Sequence, residues 1–369
     1  MSEELRCIGC GSILQDQDPK KSGYLPTSAL KKALTSDDNE VYCQRCFRLR
    51  HYNEIMPVEE NNDDFLALLN SISQKKALVV NVVDLFDFSN SLISSIKRFI
   101  GGNEYILVGN KVDLFPKNSK ESKIKDWMRQ EANRNGLKPE KIFLVSAAKK
   151  KNLADLMAFL AKKGEKKDIY FVGTTNVGKS TLINAIINMN SDLKDVITTS
   201  KFPGTTLDEI KIPLSNGHYL IDTPGILNAN QLASHLSGKE LEVVEPKKPL
   251  KPATYQLLPG QTIFLAGLGR FDYVDGPSAG FTIYVARDLY VHRTKTENAD
   301  TFYEKRKDDL LLPPSKEDNL GPLKGQTFSP KEKSDILFGG VGFITTPANV
   351  VVKAYTPEGI GLGIRRALI

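Results

Sequence analysis

The chain has 369 residues, 40% apolar and 25% charged, the balance of a globular protein of two or three domains. A formal net charge of +6 admits a phosphate-rich partner, but acidic and basic residues are interspersed, so charge alone compels none. The most apolar run, ALVVNVVDLFDF, is broken by Asn81, Asp84 and Asp87 and falls short of the ~18 residues of a membrane span. The acidic start MSEELRC lacks a signal-peptide core, so a cytoplasmic protein with no membrane partner is expected.

Residues 1 to 56 hold all four cysteines, as Cys7-x-x-Cys10 and Cys43-x-x-Cys46. In a reducing compartment two matched pairs suit a tetrahedral Zn²⁺ with four thiolates, a closed and therefore structural site. A redox role for one pair is the alternative. Beside Cys46, Arg45, Arg48, Arg50 and His51 interleave with Phe47 and Tyr52. That pattern suits RNA phosphates and bases, and equally a solvated face over core aromatics.

Residues 57 to 228 alternate apolar strands with amphipathic helices, an α/β pattern. KKALVVNVVDLF, NEYILVGN, KIFLVSAA and DIYFVG read as buried strands. NLADLMAFLAKK places Leu153, Leu156, Met157 and Leu160 on one helical face. LDEIKIPL and GHYLIDTPG flank Ser215-Asn216-Gly217, a hairpin signal.

Residues 229 to 369 change character. NANQLASHLSGKELEVV reads as helix, followed by the Pro- and Lys-rich EPKKPLKP. TIFLAGLGRFDYV, FTIYVARDLYVHRT, DILFGGVGFITT and ANVVVKAYT read as strands, so a β-rich domain for RNA or partner contacts is expected. The polar stretch from 295 to 334 reads as a helix plus a long loop, and Arg365 and Arg366 are candidate phosphate contacts.

The chemistry lies in the α/β segment. Gly173, Thr174, Thr175, Asn176, Val177, Gly178, Lys179 and Ser180 match GxxxxGK[ST] between a strand and a helix opening with Thr181. Backbone N–H groups of such a loop take anionic phosphates, Lys179 suits the β- and γ-phosphates, and the Ser180 hydroxyl suits Mg²⁺. DTPG ends the strand HYLI. Asp222 is placed to hold Mg²⁺ through water and the Gly225 amide to meet the γ-phosphate. Between them FPGTTLDE offers Thr206, or alternatively Thr205, to complete the Mg²⁺ shell.

Upstream lies a base reader, Asn110-Lys111-Val112-Asp113. Guanine donates from N1 and N2 to the Asp113 carboxylate, whereas adenine presents an acceptor at N1, a discrimination on the order of 10⁴. Asn110 is expected to tie this loop to the phosphate loop, and Lys111 to pack on the base. Ser146, Ala147 and Ala148 are expected to approach O6 through a backbone N–H. GTP and GDP with Mg²⁺ are the ligands implied.

The order of these motifs is base reader, SAA, phosphate loop, switch threonine, DTPG. An ordinary GTPase begins at the phosphate loop. Cutting that order after DTPG and joining its old ends yields this one, and the helix at 152 to 163 running through KKGEKKD into DIYFVG is the join. The chain leaves the nucleotide domain just after DTPG, so loss of the γ-phosphate is expected to reach the following domain.

With these motifs the chain resembles the circularly permuted GTPases. Within them the paired cysteines, CFRLRHYNE and the strand-rich tail resemble the YqeH family of bacterial ribosome-assembly GTPases, over nearly the whole chain. The fold implied is an α/β, circularly permuted P-loop GTPase domain flanked by an N-terminal four-cysteine zinc module and a β-rich C-terminal domain. The resemblance implies GTP binding, slow hydrolysis and a role in maturing the small ribosomal subunit through its rRNA or precursor. Ribosomal proteins are a further partner class, and DNA is not expected. Ile226 follows DTPG and cannot orient water as a glutamine would. In similar GTPases an asparagine placed like Asn176 helps hold K⁺. Lys179, Thr206, Gly225 and Asn176 are therefore the residues expected to act in hydrolysis, stimulated by K⁺. Two other readings stay open: a GTP-dependent enzyme with its substrate in the C-terminal domain, and a switch acting only on proteins.

Overall fold

The computed structural model describes the chain apart from residues 1–4, 9, 11, 20, 36–40, 53–58, 61, 117–118, 191–209, 215–216, 227–231, 233–234, 237 and 319. The chain divides into two units, Met1–Val112 with Met128–Leu227, and Asp113–Trp127 with Asn228–Ile369.

In the first unit the cysteine segment carries α1 (Thr27–Thr35) and α2 (Gln44–Tyr52). β1 (Glu59–Glu60) and α3 (Asn62–Ser73) precede β2 (Ala77–Asp84), which is buried along its whole length. α4 (Phe88–Ser91), α5 (Ile96–Phe99), β3 (Glu104–Asn110), α6 (Glu121–Arg134, its residues up to Trp127 belonging to the second unit), β4 (Ile142–Leu144) and α7 (Leu153–Gly164) follow. Then come β5 (Asp168–Val172), α8 (Lys179–Met189), β6 (Ile210–Pro213), β7 (Tyr219–Asp222) and β8 (Gly225–Ile226).

Six strands make one sheet in the order β4-β3-β2-β5-β7-β6, parallel except where β6 closes antiparallel on β7. The near-continuous apolar run of β2 follows from being covered on both faces, as parallel strands are. α7 buries Leu153, Leu156 and Leu160 against this sheet, with Met157 partly buried beside them. It runs into β5 through Glu165, Lys166 and Lys167 alone, so the permuted join is short and the sheet is continuous. Asp84, Asn110, Val172 and Asp222, the last residues of β2, β3, β5 and β7, gather on one edge, where open α/β sheets bind ligands.

The second unit carries α9 (Gly238–Val244), β9 (Ala253–Leu257), β10 (Gln261–Leu265), β11 (Gly269–Asp275), β12 (Ala279–Val285), β13 (Val291–Lys295) and α10 (Thr296–Arg306). β14 (Leu323–Phe328), β15 (Ser334–Phe338), β16 (Gly342–Thr346), β17 (Val351–Pro357) and β18 (Leu362–Arg366) complete it. Two five-stranded sheets form, β13-β10-β11-β17-β14 and β18-β15-β16-β12-β9, every pair antiparallel. They share one core, in which Phe271 and Tyr273 of β11 meet Phe281 of β12 edge-on at ring centroids 5.3 and 4.8 Å apart. α10 covers Phe264 on the opposite face of β10.

Several readings of this half change. TIFLAGLGRFDYV is not one strand but the hairpin β10–β11, turned where Ala266 takes φ 47°. FTIYVARDLYVHRT likewise splits, sending β12 and β13 to different sheets. The expected loop before residue 334 contains β14, an edge strand of mostly exposed residues with no apolar alternation to betray it. Of the helix expected from NANQ onward, α9 is the helical part among the described residues. Arg365 is no phosphate contact: it is buried, ion-paired to Asp335 at 3.3 Å, and stacked on the Trp127 and Phe343 rings at 4.8 and 4.9 Å. Arg366 stays at the surface, 3.8 Å from Glu332.

Candidate nucleotide site and cysteine cluster

The phosphate loop spans the gap between β5 and α8, and α8 opens at Lys179 with its free N–H groups facing that edge. Gly178 is at φ 81°, a conformation that side chains rarely take. Gly173 passes so close to β2 that a Cβ would lie 2.7 Å from the Val82 carbonyl. Val177 drops into the sheet core, while Thr175 and Asn176 stay at the loop surface, Asn176 at φ 63°. Ser180 is buried and Thr181 exposed at the start of α8. The end of DTPG is laid along this loop: Thr175 N–H donates to Ile226 O at 2.8 Å and Ile226 N–H to Gly173 O at 3.2 Å. Gly225 lies against Thr175, where a Cβ would come to 3.2 Å.

Asp222 ends β7 fully buried and binds two cations. Lys179 Nζ donates to its Oδ1 and also to Thr223 O. Arg45, from α2, donates Nη2–H to its Oδ2 at 2.8 Å. Burial pushes Lys179 down from its ordinary range, with Asp222 pulling it back. Arg45 is therefore not part of a surface basic patch. It is buried against the nucleotide domain, together with Leu49 one turn on, which joins the sheet core. Phe47, His51 and Tyr52 remain exposed, with the Phe47 and His51 rings tilted against each other at 4.4 Å.

The base loop is tied in by one side chain. Asn110 Nδ2–H donates to Val177 O at 2.9 Å, and its Oδ1 accepts from Ala147 N–H at 3.0 Å. One amide thus joins base loop, phosphate loop and SAA turn. Lys111 is at φ 66° and pairs with Asp84 at 2.6 Å. Asp113 follows in the short 3-10 turn Val112–Leu114, half-buried. The Ser146 hydroxyl accepts from Lys149 N–H at 3.0 Å, fixing the SAA turn. Asn110 thus takes up the Ala147 N–H of that turn. Thr206 and Thr205 lie outside the described residues.

Ser180 and Asp222 offer a hydroxyl and a carboxylate at the helix start, hard oxygen donors that suit Mg²⁺ beside bound phosphates. The four cysteines are free and buried, with ligand atoms all within 4.8 Å of one another. Cys10 and Cys43 sulfurs lie 3.7 Å apart, too far for a disulfide and close to the ~3.8 Å separating two ligands 2.3 Å from a tetrahedral Zn²⁺. Cys43 N–H donates to the Cys7 sulfur at 3.1 Å, a bond that favours a thiolate. Hydrogen bonds from Cys10, Cys43 and Cys46 hold Cys7 far below the usual thiol range, while Cys46 is pushed up by Cys10, Cys43 and Cys7 and by burial. The four-cysteine set is compatible with a divalent cation such as Zn²⁺ taking all four as thiolates.

Two site residues carry little sequence signal. Asp84 looks like a strand end, and Arg45 looks like one of several surface arginines. Only the pairing of β2 with β3 and the seating of α2 reveal their partners.

Comparison with known proteins gives two family models. Residues 278–368 match "YqeH-like, C-terminal", and residues 168–250, beginning at β5, match "50S ribosome-binding GTPase". YqeH of Bacillus subtilis (strain 168) is 47% identical over 371 residues, covering 100% of both chains. NO-associated protein 1, chloroplastic/mitochondrial, of Arabidopsis thaliana is 29% identical over 92% of this chain and 69% of its own. Nitric oxide-associated protein 1 of Homo sapiens is 24% identical over 99% of this chain and 75% of its own. Among solved structures, GDP-bound TM YlqF aligns over 45% of this chain and 57% of its own at 22% identity with a TM-score of 0.29.

Proposed function

Because the chain belongs to the YqeH family of circularly permuted GTPases, we propose that it is a GTP-operated switch in assembly of the small ribosomal subunit, acting through rRNA or the precursor particle. The observation that carries the nucleotide part is the Asn110 bridge, which sets a guanine-reading loop at a fixed distance from a phosphate loop on the ligand edge of the sheet. In this reading the α8 N-terminus, Lys179 and the loop amides hold the phosphates. Ser180 and Asp222 hold Mg²⁺, Asp113 and the Ala148 amide read guanine, and Thr206 closes the Mg²⁺ shell. Mg²⁺ held there would neutralise phosphate charge. The chain's own contribution is to position and to exclude water. Ile226, held to the phosphate loop by its backbone, offers no group to activate water, so turnover is slow until a cation or partner assists. The cysteine module and the exposed Phe47 and His51 supply partner contacts in the same reading.

The test is co-sedimentation with separated small and large subunits, with GTP analogue, GDP or no nucleotide. The reading expects retention on the small subunit, strongest with the GTP analogue. Retention on the large subunit alone, or on neither while GTP is still hydrolysed, rejects the small-subunit role. The second outcome favours a protein partner or another substrate.

A further inference from the structure

Arg45 links the two metal sites that the sequence treats as separate. It lies between Cys43 and Cys46, two ligands of the cysteine cluster, yet its guanidinium reaches a carboxylate 177 positions away. Both partners are buried, Arg45 at 5% and Asp222 at 0% exposure. A guanidinium so placed is stable only while an anion answers it. The seating of α2 is consistent along the helix. Arg45 and Leu49, one turn apart, face the nucleotide domain, and Phe47 and His51, also one turn apart, face outward.

Asp222 is also the carboxylate that Mg²⁺ needs, on the reading given above, and the inference rests on that reading. Lys179 and Arg45 already place two positive charges on its single negative one. An incoming nucleotide gives Lys179 phosphate oxygens to bind. It gives Arg45 no new partner, and Mg²⁺ drawn to the same carboxylate would add a further like charge. We propose that Arg45 is a positioning residue that competes with Mg²⁺ for Asp222: it sets the Mg²⁺ requirement of nucleotide binding, and Mg²⁺ loading releases α2 of the cysteine module. The module then reports the state of the nucleotide site without touching the nucleotide.

Two measurements decide it. In the first, binding of fluorescent GDP is titrated with Mg²⁺ in the wild type, R45Q and Asp222→Asn, each at equal measured zinc content. Loss of a buried charged competitor is expected to lower the half-saturating Mg²⁺ of R45Q by about tenfold. Asp222→Asn is expected to raise it or abolish the Mg²⁺ dependence. An unchanged or raised requirement in R45Q, with Asp222→Asn impaired, overturns the competition. An unaffected Asp222→Asn overturns the Mg²⁺ reading beneath it. The second measurement uses the wild type alone, so it stands if R45Q does not fold. Backbone amides of Gln44–Tyr52 are expected to exchange hydrogen several-fold faster with GDP and Mg²⁺ than with GDP and no added Mg²⁺, without chelator and at equal measured zinc content. Equal or slower exchange overturns the release.

Discussion

At the residue scale, Asn110 concentrates the site into one side chain. Its amide satisfies a carbonyl of the phosphate loop and an N–H of the SAA turn at once, both buried. Asn110→Ala leaves both without a partner, so we expect a stability loss of about 2 kcal/mol in denaturant unfolding and a larger loss of GDP affinity. Asn176, exposed at the loop tip, makes a different case. Its substitution by alanine is expected to spare the fold and to remove any advantage of K⁺ over Na⁺ in turnover; equal wild-type rates in the two salts would sink the K⁺ role. Away from the site, Lys163 and then Lys167 hold the Glu104 carboxyl down from 4.5 to about 2. A carboxyl lowered on folding stabilises above its ordinary range, and the gain is lost as pH falls through 4.5 towards 2. Glu104 is 41% exposed, so screening limits the gain to at most about 1 kcal/mol. Glu104→Gln is expected to lower the melting temperature slightly at neutral pH and not at all near pH 2. The motif residues were legible because backbone geometry demands them: glycines where the loop turns, a lysine where the helix starts. Arg45 and Asp84 were not, because each gains its meaning from a partner that only the folded sheet brings near.

At the element scale, α2 is held at two points. Its first turn carries a cysteine of the cluster, and Leu49 is sunk in the sheet core. Zinc chelation should therefore do more than melt the first residues. We expect loss of helix signal and rapid proteolysis before residue 57, and also a change in the Mg²⁺ dependence of GDP binding. Chelation that leaves the protease pattern intact would argue against a structural metal. Elements also differ in how plainly they show in sequence. The central strands β2, β3 and β5 announce themselves as apolar runs, since both faces are covered. β9, β14 and β18 passed unread, and each is an edge strand of the second unit. β9 and β14 bury few side chains, and an edge has no second neighbour to enforce alternation.

At the scale of the whole molecule, the force that holds a partner sets the salt dependence of its binding. If rRNA phosphates carry the binding, subunit retention should fall by orders of magnitude between about 50 and 200 mM salt, and a partner met through apolar surface should not show that slope. The permutation has another consequence, in time and not in space. β2 pairs with β3 on one side and β5 on the other, and the Asn110 bridge spans 67 positions of chain. During synthesis the guanine-reading half emerges first, as a partial sheet whose central strand is still a bare edge. Nothing can hold a nucleotide until β5 and the loop behind it have left the ribosome and zipped onto that edge. The nucleotide site of a nascent chain is thus complete only once that edge of the sheet is covered.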